Sequence, residues 1–162
     1  MLNKLIMTDY IPEVMDLLRL NILECPHLSE DHQIGYSVLD WEKTKYDDII
    51  IKSVIKDSEG EAVDSETKIA EYGQFDAIIA CEVIYWEQSI LPLITILDEL
   101  FSKQDNNLIF YLIFVERNAM LHKLLKEALD TFKFTYEYLD DPLIKEFEVH
   151  TAHLFKIIRK NE

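Results

Sequence analysis

Between Phe75 and Phe101 the segment FDAIIACEVIYWEQSILPLITILDELF runs almost without interruption through apolar residues to Glu82 and Tyr85, and an amphipathic pattern follows directly. An apolar run of this length, bounded by polar residues, reads as a strand covered on both faces and therefore central in its sheet. A carboxylate at the end of such a strand is costly unless it is paired or opens onto a site. In doubly wound α/β sheets that position faces the crevice beyond the carboxyl ends of the strands, where ligands bind. Glu82 and Tyr85 are therefore the first candidates for chemistry, with a buried ion pair as the other reading of Glu82. Trp86, Glu87 and Arg117 follow on loops of the same rim, Arg117 being expected as a surface partner for an acid such as Glu116.

The rest of the chain frames this strand with alternating elements. Asn3–Thr8 reads as a short strand ending at Asp9, and Pro12–Leu23 as a helix. Proline suits a first helical turn, where its missing N–H has no partner to lose, and Val14, Leu17, Leu18 and Ile22 supply an apolar stripe. A second strand, His32–Leu39, ends in Asp40-Trp41. Beyond the Phe75–Tyr85 strand come a helix over Gln88–Lys103, a strand over Asn107–Val115 and a helix opened by Asn118 as its cap. The two helices carry stripes at Ile90, Leu93, Ile94, Leu97, Leu100 and Phe101, and at Leu121, Leu124, Leu125, Ala128, Leu129 and Phe132. Phe134–Leu139 and Phe147–Ile158 close the chain as an antiparallel hairpin. The expected fold is a Rossmann-like α/β domain over residues 1–162, a mostly parallel sheet with helices on both faces. Lys45–Gly73 interrupts it with KDSEGEAVDSETK, an acidic stretch too polar to offset its ordering entropy, and is expected as a mobile insertion.

Composition narrows the partners. Sixteen Lys and Arg against 31 Asp and Glu give a net charge of −15, which argues against neutralising nucleic-acid phosphates. A basic protein or a small molecule suits the charge better. No apolar run reaches the roughly 18 to 20 residues that span a bilayer, and MLNKLIMTDY lacks a signal-peptide pattern, so the expected location is the cytoplasm, away from membranes. Cys25 and Cys81 have no CxxC spacing; Cys81, inside the apolar strand, reads as a small buried hydrophobe. His150-x-x-His153 lies in a segment that alternates like a strand, which would send the two rings to opposite faces. No metal site is expected.

Asp9 admits two readings. An acid ending the first strand of a nucleotide-binding βαβ unit accepts hydrogen bonds from ribose hydroxyls; a turn aspartate satisfies free backbone N–H groups at a helix entry. Asp40-Trp41 at the same rim could hold an adenine between a carboxylate and a flat indole, or Trp41 could simply pack.

Taken together, LIMTDYIPEVMDLLRLNI, the Val38-Leu39-Asp40-Trp41 element and Glu82-Val83-Ile84-Tyr85 with its following helix resemble the seven-β-strand (class I) S-adenosylmethionine-dependent methyltransferases, in particular their protein-lysine methyltransferase-like group. The resemblance covers nearly the whole chain apart from Lys45–Gly73. It implies that Asp9 binds the ribose hydroxyls of S-adenosylmethionine, that Asp40 and Trp41 contact its adenine, and that Glu82 and Tyr85 line the channel where an acceptor amine meets the methyl group. It further implies methyl transfer to a lysine of a protein substrate, with a small-molecule amine as the alternative acceptor.

The sequence departs from that family in two respects: many members carry Asp where Glu82 stands, although the group accepts either acid, and a glycine-rich loop is missing. Family members open their cofactor site with a glycine-rich loop after a first strand, whose backbone approaches the methionine end closely. Gly35, Gly60 and Gly73 are the chain's glycines, and none stands in a GxG. Measured back from Asp9 by the roughly 20 residues of such units, the loop falls before Met1, so the sheet is expected to be incomplete at its N-terminal end. Three expectations follow: an enzyme whose function survives, a non-catalytic binding protein whose sheet a partner chain completes, or coding sequence upstream of Met1.

Overall fold

The computed structural model describes residues 4–24, 33–56, 62–104, 107–140 and 151–160. The chain divides into two compact units, residues 1–73 and 74–162, each built on a four-stranded sheet. Among the described residues no helix is long and apolar enough to cross a membrane.

The first unit opens with strand β1 (Lys4–Asp9), helix α1 (Pro12–Glu24) and strand β2 (Gln33–Val38). The two strands pair in parallel from Lys4 beside Gln33 to Asp9 beside Val38. This is the βαβ unit that the strand–helix–strand pattern predicts. Met15 is buried in α1, whereas Leu17 is exposed, so the apolar stripe lies to one side of the position expected.

Strands β3 (Ile50–Lys56) and β4 (Ala62–Lys68) extend this sheet in the order β1-β2-β3-β4. Both new pairings are antiparallel. A 3-10 turn (Tyr46–Asp48) precedes them and a short helix α2 (Ile69–Tyr72) follows. The segment expected as a mobile insertion thus carries two strands, with residues 57–61 of the acidic stretch outside the described residues. The polar hairpin is tied down by its apolar arm: Ile49 and Ile51 are fully buried together with Tyr46, Ile69 and Tyr72. Gly35 explains how β3 comes so close to β2, since a Cβ there would lie 2.5 Å from Ile51 Cγ2. Arg19 on α1 joins Asp64 on β4 at 2.9 Å.

The second unit contains strand β5 (Ala77–Cys81), helix α3 (Ile90–Lys103), strand β6 (Ile109–Glu116), helix α4 (Ala119–Thr131), and strands β7 (Phe134–Leu139) and β8 (Thr151–Arg159). The order β5-β6-β8-β7 has β5 parallel to β6 and the remaining pairs antiparallel. The closing hairpin is present, but β8 inserts between β6 and β7. Among the described residues of the two sheets the parallel pairs are β1–β2 and β5–β6 alone, so the expectation of a mostly parallel sheet is corrected: a βαβ unit starts each sheet and antiparallel strands complete it.

The core of this unit is one face of its sheet under two helices. Phe110, Leu112 and Phe114 of β6 alternate inward beside Phe155 and Ile157 of β8, each no more than 1% exposed. All six residues predicted for the α3 stripe are buried, as are Leu121, Leu125 and Leu129 of α4. Phe101 meets Phe134 edge-on at 5.2 Å, and Arg159 joins Asp98 at 2.9 Å. The Asn118 side chain accepts a hydrogen bond from the Leu121 N–H at 2.8 Å and caps α4 as expected.

β5 departs from its expected central place. Among the described residues it pairs with β6 alone. Ala77, Ile79 and Cys81 are exposed, Ile79 by 75%, so Cys81 is not a buried hydrophobe. An apolar sequence records what a strand can bury, while the number of neighbours it finds decides what it does bury.

Candidate functional site

Glu82 takes its position from an abrupt end to β5. Its backbone N–H still donates to Ile113 O on β6, at 2.9 Å, but its φ of 51° turns the chain out of the sheet. A left-handed conformation is uncommon for a residue with a long side chain, because Cβ crowds the carbonyl. The turn is pinned by buried Ile84 and by Ser89, whose N–H and Oγ both donate to Trp86 O. Tyr85 and Trp86, between those anchors, are 47% and 73% exposed.

Arg117 comes to this turn from the adjacent strand end. Its Nη2 lies 3.5 Å from Glu82 Oε2, and its guanidinium sits 4.7 Å from the centroid of the Tyr85 ring. The carboxylate and the aromatic face together form a cation-binding pair held by the protein's own arginine. Glu82 is thus half-exposed and paired on the surface, rather than buried in an ion pair. Arg117 is a surface partner as expected, but of Glu82 and not of Glu116. The reason is strand alternation, which sends Glu116 to the opposite face.

On that face Glu116 meets two histidines. Its Oε2 lies 2.7 Å from His122 Nδ1 of α4 and 3.1 Å from His153 Nε2 of β8. His122 Nε2 in turn lies 2.9 Å from the Tyr138 hydroxyl of β7. The two imidazoles, His153 first, hold the Glu116 carboxyl below its usual range. Sequence spacing carried no signal for this group, because its members are separated along the chain and converge only when β8 pairs with β6. His150 lies outside the described residues, as does Cys25.

In the first unit, Asp9 and Asp40 share one rim of the β1–β2 pair. The Leu39 N–H donates to Asp9 O at 2.8 Å, which ties the two strand ends together. Asp9 Oδ1 accepts the Ile11 N–H at 2.9 Å, the local geometry of a turn aspartate. Its Oδ2 has no partner among the described residues, so it retains acceptor capacity for a hydroxyl. Asp40 is more fully engaged: Oδ1 accepts the Glu42 N–H and Oδ2 pairs with Lys43 at 2.6 Å. Lys43 first, opposed by burial, holds the Asp40 carboxyl below its usual range. Trp41 is half-buried beside it.

These residues fit part of the expected cofactor. Asp9 suits a ribose diol, while Asp40 must exchange its own turn contacts for an adenine. Gly35 is closed against Ile51, and Gly73, with φ of 100°, faces Lys4 Nζ at 3.4 Å.

A comparison with protein-family models gives no match, and neither does one with curated proteins. Among solved structures, a "putative methyltransferase from Thermoplasma acidophilum" aligns with 98% of this chain at 12% identity and a TM-score of 0.49. The chain spans 58% of the length of that structure. A likeness of this size assigns neither family nor function.

Proposed function

We propose that this chain carries the acceptor side of an S-adenosylmethionine-dependent methyltransferase that acts on a lysine amine of a protein. The observation that supports it is the cation-binding pair Glu82–Tyr85. A carboxylate and an aromatic face are what a protonated amine seeks, and here both groups hold a guanidinium that a substrate ammonium could replace. They coincide with the Glu82-Val83-Ile84-Tyr85 motif on which the sequence resemblance rests. The left-handed Glu82 adds support, since strained backbone persists where the surroundings over-determine it and is concentrated at functional sites.

When bound, the cofactor supplies an electrophilic methyl carbon on a sulfonium. In this reading Asp9 accepts hydrogen bonds from its ribose, and Trp41 with Asp40 flanks its adenine. Glu82 orients the amine and accepts its proton as general base, and Tyr85 confines it. Positioning of this kind is the main source of acceleration in an in-line displacement. The net charge of −15 favours a basic protein over a small amine as acceptor.

Calorimetric titration with S-adenosylmethionine tests the cofactor, and labelled methyl transfer to protein extract against metabolite extract tests the acceptor. Label in protein, lost in Glu82→Gln, is the expected result. Absence of cofactor binding by the 162-residue chain overturns catalysis by this chain. A second reading, a non-catalytic binding protein completed by a partner strand, is favoured by exposed Ile79 and by the edge of β5 that has no strand beside it among the described residues. It predicts association without methyl transfer.

A further inference from the structure

We propose that Glu116, His122 and His153 form a binding site for a divalent transition metal, with zinc as the ion whose preferences the donor set meets. The end of β6, the first turn of α4 and the start of β8 supply one ligating atom each, and these atoms lie within 4.8 Å of one another. Two histidines and a carboxylate are a recurrent zinc set, with the fourth position left to water. Donors at zinc bond lengths in a tetrahedron stand about 3.3 Å apart. The observed 2.7 and 3.1 Å separations from Glu116 to the two rings are close to that value. All three atoms lie within 4.8 Å of one another, so the widest separation closes by up to roughly 1.5 Å to form a coordination shell.

Hydrogen-bond accounting points the same way. An ionised carboxylate only accepts, so each ring nitrogen facing Glu116 Oε2 must carry a hydrogen, and one oxygen receives both. A divalent cation replaces those two hydrogens with coordinate bonds, and both imidazoles then bind in their neutral form. The outer partner is already in place. With Nδ1 of His122 on the metal, its Nε2–H donates to the Tyr138 hydroxyl 2.9 Å away, the contact that commonly fixes a ligand's tautomer. Phe114 and Phe155 flank the rings at 5.8 and 6.1 Å, and the apolar shell strengthens the charge interactions inside it. One side remains open: Glu116 and His122 line a surface groove with Ala119, Lys123, Lys126 and Glu127, through which an ion and a coordinated water have access.

The inference stands apart from methyl transfer and is read without it. Zinc is titrated into the metal-free 162-residue chain by calorimetry, and the imidazole nitrogens are followed by long-range proton–nitrogen NMR. One zinc per chain is expected, with shifts at His122 Nδ1 and His153 Nε2. Glu116→Gln and His153→Gln should each weaken binding by more than the roughly 10-fold expected for Tyr138→Phe. Cobalt substitution should give a visible ligand-field band that both ligand variants lose. Three results overturn the proposal: no binding, binding with resonance changes confined to other histidines, or equal affinity in folded ligand variants. The wild-type spectra decide the matter even where a variant fails to fold.

Discussion

Glu82 holds a φ of 51° where glycine would rest without strain. Its left-handed backbone costs about 1–2 kcal/mol, and replacement by glycine gives back part of this through a freer unfolded chain, about 0.5–1 kcal/mol. Glu82→Gly should therefore be neutral or slightly stabilising, and Glu82→Val should cost about 1–2 kcal/mol. Urea midpoints of the two variants check this; equal costs would mean that backbone strain does not govern the position. Glu116 makes a separate prediction about acid. Its folded-state pKa is lowered from 4.5, chiefly by His153 and then His122. A depressed carboxylate stabilises the fold above its unfolded pKa and loses that contribution as pH falls through the folded value. Urea unfolding of wild type against Glu116→Gln should converge as the pH drops below about 4.5, the difference being largest near neutrality. Glu82 and Tyr85 both lie beside Arg117, because a strand-end turn keeps residues three apart together. The sequence could not pair Arg117 with them, because that contact depends on which way β6 turns its last residues.

Among the elements, those with strong local signals formed where the sequence put them. α4 has its cap, its stripe and its limits within a residue or so, since capping and 3.6-residue periodicity are local properties. Asn118→Ala should lose about 1 kcal/mol by leaving the Leu121 N–H without its acceptor, measurable in thermal unfolding. β3 and β4 form within the segment expected as a mobile insertion, for an equally physical reason. Average polarity over residues 45–73 is high, yet the alternate residues Ile49 and Ile51 reach the core while Lys52 and Glu66 remain outside and pair with each other at 3.5 Å. A hairpin needs one apolar side only, and composition averages over both.

For the molecule as a whole, β5 is the place where association is expected. Its outer edge has no strand beside it among the described residues, and Ile79 offers an exposed apolar side chain. Ile79→Lys should shift sedimentation toward monomer without lowering the unfolding midpoint, since charged residues on open edges oppose strand addition. Unchanged sedimentation would remove the support for a partner strand. The sequence by itself determined the two βαβ beginnings, the stripes of α3 and α4 and the closing hairpin, because periodicity and capping act over a few residues. Only the tertiary structure decided that β8 lies between β6 and β7, and with it the meeting of Glu116, His122 and His153. Strand order is a choice among distant pairings with similar local preferences, and it is settled by which faces the packed core buries.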